Sequence, residues 1–241
     1  ALLWRVHRNA VGALFRASNG QVPAESALLE DYAELATSLV DAFELTGDPT
    51  TLLRALELVD DANRKLARAD GGWWRGEEGR APVRAVALIE EEEPSGSASM
   101  LELLARLAPL TERPGLSEAI TRAKAAHSEA ARRVGPQMAA WLDAALLEAG
   151  PFYEVVIAAA PGAPSLALEN AYARVAPPWA VRYRVPATGP SDETTRIVPG
   201  AQGKVGGPRG ALAYVCMRGS CKAPTSDPGV LRMQLLEGWG R

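Results

Sequence analysis

The side chains in this sequence that could move a proton or grip a ligand are few and scattered. It holds two histidines, His7 and His127, far apart and in no matching motif. His7 stands among Arg5 and Arg8, the setting of a solvated side chain. His127 falls beside an apolar helical stripe, which gives it a packing or surface role. The carboxylates offer more. Asp31 stands near the start of an apolar helical pattern. Glu90 opens the run Glu90-Glu91-Glu92-Glu93-Pro94-Ser95-Gly96-Ser97. Hydrolysis of a glycosidic bond needs two carboxylates placed across that bond. Asp31 with Glu90 is the best such pair in the chain, provided the two helix starts face one cavity. A plainer role is open for both, because acidic residues are favoured at a helix N-terminus by its dipole. The Pro-Ser-Gly-Ser cluster reads as a helix start with Ser95 or Ser97 as N-cap.

Two further motifs invite chemistry. Trp73-Trp74 follows the break Asp70-Gly71-Gly72, and the pair could stack on a ligand or cover an apolar core. Cys216 and Cys221 are spaced C-x4-C. That fits neither a C-x-x-C redox motif nor a zinc site, for which two more ligands would be needed nearby. They read as structural thiols packing the tail. A disulfide would require the intervening turn to bring the Cα atoms within roughly 7 Å. No cofactor and no metal is implied.

The elements that must position these residues are mostly helices. From 25 to 46, Leu28, Tyr32, Leu35, Leu39 and Phe43 recur at spacings of three and four. Leu29, Ala33, Ala36 and Val40 add a second stripe, so this helix is apolar over a wide arc. Gly47 suits a C-terminal cap, and Asp48-Pro49 starts a second helix to about 69. That helix has a narrower stripe: Leu52, Leu56, Val59, Ala62, Leu66. Residues 83–89 have strand character and make a hairpin-like insertion with the tryptophan pair. Helices at 98–110 and about 115–134 then repeat the inner/outer pairing. The turn Leu110-Thr111-Glu112-Arg113-Pro114 echoes Leu45-Thr46-Gly47-Asp48-Pro49, and paired units of this kind must stack to bury their faces. A further helix spans about 136–148. After Gly150 the composition changes, to strands near 154–158, 180–185 and 211–217 with short helices at 165–175 and 231–236. Before residue 25, 10–15 could be a short strand or a helix tail, and Ser18-Asn19-Gly20 is a turn signal.

The 241 residues carry a net charge of −3 and 47% apolar residues. They can bury a sizeable core, and they show no basic footprint for nucleic acid. No apolar run approaches the roughly 20 residues of a membrane span, and no signal segment is read at the start. Two cysteines are too few for a disulfide framework and suit a reducing compartment, the cytoplasm.

The tail resembles a known family. Ala213-Tyr214-Val215-Cys216, then Cys221, then Ala223-Pro224-Thr225-Ser226-Asp227-Pro228 is similar to the end of the thioredoxin-domain proteins that carry a six-hairpin toroid, the spermatogenesis-associated protein 20-like group. Leu29-Glu30-Asp31-Tyr32-Ala33, Thr46-Gly47-Asp48, Gly71-Gly72-Trp73-Trp74 and Pro94-Ser95-Gly96-Ser97 resemble the same group in the same order, over about residues 25–236. The resemblance implies a mainly α chain of αα-hairpin repeats forming part of an (α/α)6 toroid of the six-hairpin glycosidase-like kind. With the change of composition after Gly150, the chain is expected to divide into a partial toroid at 1–150 and a small α/β tail at 151–241.

Two departures from the family pattern stand out. A thioredoxin-like domain and the first half of the toroid, which the family implies, are not in this sequence. In the family's pocket stretch, Arg84 and Pro94 to Gly96 fit, while Val86, Ala87 and Ser97 replace charged or amide residues. The resulting expectation is a ligand-binding or scaffold module with a degenerate site, its candidate ligand contacts being Tyr32, Trp73, Trp74, Arg84, Ser95 and Ser97. Its ligand would be a carbohydrate or another small molecule. The alternative is a carbohydrate-active enzyme using Asp31 and Glu90. A half-toroid with a wide apolar arc at 28–43 would also expect a protein partner that supplies the missing half, or self-association.

Overall fold

A computed structural model describes residues 4, 6–9, 12–18, 23–79, 82–160, 165–208 and 210–237. Helices dominate it, with a small sheet towards the C-terminus. Strands β1 (Phe15–Ser18) and β2 (Pro23–Ser26) open it as an antiparallel pair. Residues 19 and 20 of the Ser18-Asn19-Gly20 turn lie outside the described residues. Helix α1 spans Leu29–Thr46, so Glu25 and Ser26 belong to β2 rather than to the helix expected there. The helix starts where it does because Asp31, in its first turn, accepts the Leu28 N–H at 2.8 Å, the reach-back half of a capping box.

Helix α2 spans Pro49–Leu66, α3 Gly96–Thr111 and α4 Pro114–Val134. Asp48 caps α2 by accepting the Thr50 N–H at 2.9 Å, and Pro49 fills the first position, where no N–H is needed. Ser95 is the N-cap of α3, accepting the Ala98 N–H at 3.2 Å. A 3-10 turn at Gly135–Met138 leads into α5 (Ala139–Ala149). On α4 the buried stripe is Leu116, Ile120, Ala123, His127 and Ala131. His127 therefore sits within the apolar face rather than beside it. The expected strand at 83–89 is absent. Apart from the Arg75 N–H bonded to the Ala85 carbonyl at 2.8 Å, these residues find no ladder, and Trp73 makes its single bridge with Ala67 at the end of α2.

The sheet contains β3 (Tyr153–Ala159), β4 (Ala180–Pro186), β5 (Leu212–Met217) and β6 (Ser220–Cys221), in the order β4-β3-β5-β6. β3 and β4 are parallel, with helix α6 (Leu166–Ala173) on the connection; the other pairings are antiparallel. Period-2 alternation decides what each face meets. Tyr153, Val155 and Ile157 of β3 and Ala213 and Val215 of β5 pack with Leu168 and Ala171 of α6, and with Leu231 and Leu235 of α8 (Pro228–Leu236). Before β5, α7 (Asp192–Ile197) is capped by Ser191, and a 3-10 turn follows at Pro199–Ala201.

The chain divides into two compact units. The first holds residues 1–38, 54–105 and 115–146. The second holds 39–53, 106–114 and 147–241. The tips of both helical hairpins fall in the second unit with residues 147–241. In that second unit Phe43 meets Tyr183, ring centroids 5.1 Å apart, and Arg106 bridges Asp41 and Glu44. The wide apolar arc of α1 is largely covered: Leu29, Tyr32, Ala33, Ala36, Val40 and Phe43 are buried, while Leu28, Leu35 and Leu39 are half-buried.

Candidate functional site

A cleft of about 620 Å³ opens in the first unit. Its wall is the extended segment Ala85 to Ile89 and the acidic residues Glu91 to Glu93, and its end is the start of α3 at Ser95 and Gly96. Glu30, from the first turn of α1, is the anchored charge in it. Arg75 donates to Glu30 Oε1 from Nε at 3.1 Å and from a terminal nitrogen at 3.0 Å. Arg16 of β1 reaches the same oxygen at 3.4 Å. The other oxygen, Oε2, is buried without a hydrogen-bond partner. It lies against Gly96, where an added Cβ would come within 3.0 Å of it. A smaller cleft of about 270 Å³ shares Arg75 and Ala85 and adds Leu28, Glu77 and Arg84.

The residues singled out from sequence surround this region but are spent in different ways. Asp31 holds the Leu28 N–H and has Arg16 at 3.6 Å. Glu90 is tied to a helix other than the one that follows it. Its Oε1 accepts the Ala140 and Trp141 N–H groups at 2.7 and 3.3 Å, and its own N–H bonds to the Gln137 carbonyl at 2.9 Å. It therefore caps α5, whose first-turn N–H groups have no intrahelical acceptors. Neither carboxylate lines the cleft; their neighbours Glu30 and Glu91 do.

Trp73 is buried at 2% exposure, and its indole N–H donates to Asn63 at 2.7 Å. Trp74 is half-buried and has two guanidinium groups near its ring, Arg68 at 4.7 Å and Arg84 at 5.0 Å from the ring centre. Arg84 also donates to the Gly76 and Lys65 carbonyls, at 3.2 and 3.4 Å. The Trp74 ring thus has two cation–π neighbours already. Ser95 is the α3 cap and lines the cleft.

Ser97 is fully buried with its hydroxyl unpaired. Tyr32 is buried with no hydrogen-bond partner within 3.5 Å for its hydroxyl. Burial pushes that hydroxyl above its ordinary 10.0, against the charge of nearby Lys65. Burial works to lower the Lys65 pKa in turn, but the ion pair with Glu77 at 3.0 Å and the Tyr32 neighbour prevail, and the net shift is upward.

Sequence reasoning passed over Arg16, Glu30 and Arg75. Glu30 was visible only as the neighbour of Asp31 in a helix start, and the two arginines carried no motif at all.

His7 is half-buried rather than free in solvent, its Nδ1 donating to the Phe15 carbonyl at 3.1 Å. His127 is 3% exposed, with Nε2 unpaired beneath Gly72. Burial first, then Arg68, lowers its pKa below 6.5. Cys216 and Cys221 are not free thiols but a disulfide, with Cα atoms 3.9 Å apart because they are direct partners across the β5–β6 hairpin. Among the described residues, no helix is long and apolar enough to cross a membrane, and no group of three acidic, histidine or cysteine side chains is placed to hold a metal ion. No family model and no curated protein sequence matches the chain.

Proposed function

We propose that this chain is a ligand-binding module built of helical hairpins, and that the cleft around Glu30 takes a small polyhydroxylated molecule of the carbohydrate class. The observation that carries the reading is Glu30. Its Oε1 is held by Arg16 and Arg75, which fixes the carboxylate in the wall of the cleft with its side chain 19% exposed. A carboxylate fixed in this way accepts ligand hydroxyl groups at little ordering cost, since its geometry is already set. The two arginines already share a carboxylate, so among the described residues the cleft offers no unpaired cation for an acidic ligand. Catalysis by Asp31 with Glu90 is not part of the reading, because each of those carboxylates holds backbone N–H groups at a helix start.

The hairpins belong, in this reading, to an (α/α)6 toroid completed by further hairpins, whether from a longer chain, a partner or a second copy. The equivalent turns at 46–49 and 111–114 support it. A cytoplasmic setting is also part of the reading.

Isothermal titration of neutral mono- and disaccharides into the wild-type chain and into Glu30→Gln and Arg75→Ala tests the reading. Binding that both substitutions abolish supports it. Binding that neither changes removes the cleft from consideration.

A further inference from the structure

The Cys216–Cys221 disulfide belongs to the second unit and the residues of the Glu30 cleft to the first. Its two sulfurs have different surroundings. Cys216 is 3% exposed and Cys221 is exposed. Lys204 places its ammonium nitrogen 3.1 Å from Cys221 Sγ. A disulfide sulfur is a weak acceptor and gains little from such a neighbour, whereas a thiolate at the same place gains a great deal.

The lysine is positioned by its surroundings. Its ammonium lies 5.2 Å from the centre of the Tyr214 ring. The Tyr214 hydroxyl donates to the Val205 carbonyl at 2.7 Å and accepts the Val205 N–H at 3.2 Å, fixing the backbone next to Lys204. The other charges close by are engaged. Glu154, which feels the Lys204 charge, accepts the Tyr183 hydroxyl. Lys222, beside Cys221, is turned to Glu237 and to the Gln234 carbonyl.

We infer that Cys216 and Cys221 form a redox couple that exchanges electrons with dithiols, with Cys221 as the attacked sulfur and Lys204 as the group that holds it as a thiolate once reduced. One thiolate of the dithiol attacks Cys221 Sγ, and a new S–S bond forms there. The Cys216–Cys221 bond breaks with its electron pair on Cys216, which takes up a proton and stays buried as a thiol. The second thiolate of the reductant attacks its own mixed-disulfide sulfur and closes the reductant's disulfide. Cys221 leaves as a thiolate beside Lys204. The chain has gained two electrons and the dithiol has lost them. The same steps run backwards when a disulfide oxidises the chain.

Alkylation of the full chain, reduced with dithiothreitol, by iodoacetamide across a pH series tests this, with Cys221 read separately by peptide mass spectrometry. Cys221 is expected to half-titrate clearly below the value of about 8.5 of a free cysteine. Lys204→Met should return it to that value, and Lys204→Arg should keep it low. Cys216→Ser should leave the Cys221 titration low, and the wild-type reading stands if that variant fails to fold. Half-titration of Cys221 at or above about 8.5 whether or not Lys204 is present would overturn the inference. So would a disulfide that dithiothreitol reduces only after the chain is unfolded.

Discussion

Gly47 and Glu112 occupy the same place in two successive helical hairpins, and both have left-handed backbone, with φ of 72° and 52°. Each N–H closes the last turn of the preceding helix, Gly47 to Phe43 at 2.7 Å and Glu112 to Ala108 at 2.9 Å. The threonine before each, Thr46 or Thr111, donates back to the carbonyl four residues earlier. The two sites differ in what lies outside. An added Cβ at Gly47 would sit 2.3 Å from the Arg184 carbonyl oxygen, whereas Glu112 already carries its side chain.

Replacing Glu112 by glycine is therefore expected to stabilise the chain. The left-handed conformation costs a side-chain-bearing residue roughly 1–2 kcal/mol, and glycine's greater unfolded freedom takes back roughly 0.5–1 kcal/mol of that. Gly47→Ala should do the reverse, with a loss of more than about 1 kcal/mol from φ and collision together. Urea denaturation of both variants checks the pair of signs.

Glu90 is expected to matter for stability and not for ligand binding. Glu90→Ala leaves the first turn of α5 with uncapped N–H groups. The loss should be about 1 kcal/mol, within the range for helix caps, measured by chemical denaturation. Titrations at the Glu30 cleft should be unchanged. A stable Glu90→Ala variant that loses a sugar-processing activity would contradict this placement.

Much of the helical architecture was legible in the sequence, and the reasons are local. Helix starts at Asp48-Pro49 and Ser95 and the two matching turns are written in residues a few positions apart, and capping chemistry acts over that distance. What was not legible depends on partners distant in sequence. Residues 83–89 look like a strand, but among the described residues no neighbouring strand is offered to them. Glu90 looks like a dipole partner for α3, but the N–H groups it serves are fifty residues further on. The C-x4-C pair became a disulfide because the strand register sets Cys216 opposite Cys221. The cleft itself rests on Arg16, Glu30 and Arg75, and their meeting is set by the packing of β1, α1 and the loop after α2.

Two groups shifted by burial are expected to give opposite pH dependence. Burial raises Glu154 above 4.5, against its bond from Tyr183 and the Lys204 charge. A raised folded-state pKa means the folded chain holds the proton more tightly. The resulting stability is present below 4.5 and lost as pH rises through the raised value. Glu154→Gln should flatten the fall in stability on that side. Burial raises Glu44 in the same direction, so part of the slope will remain.

His127 acts in the other sense. Its folded-state pKa lies below 6.5, so the folded chain favours the neutral ring. Its contribution is present above 6.5 and is lost as pH falls through the lowered value. Thermal melts between neutral and mildly acidic pH should show a loss that His127→Leu reduces. Gly72→Ala should weaken the chain at every pH, since its Cβ would come 2.3 Å from His127 Nε2 at a φ of +70°.

The Glu30 cleft is expected to hold a polyhydroxylated ligand, and amide chemical-shift mapping with neutral mono- and disaccharides reads this out residue by residue. Shifts should saturate at concentrations on the order of 1 mM. They should gather on Glu30, Arg75, Ala85 and Gly96, and disappear in Glu30→Gln. Saturating shifts that cluster elsewhere, or spectra that no sugar moves, would contradict it.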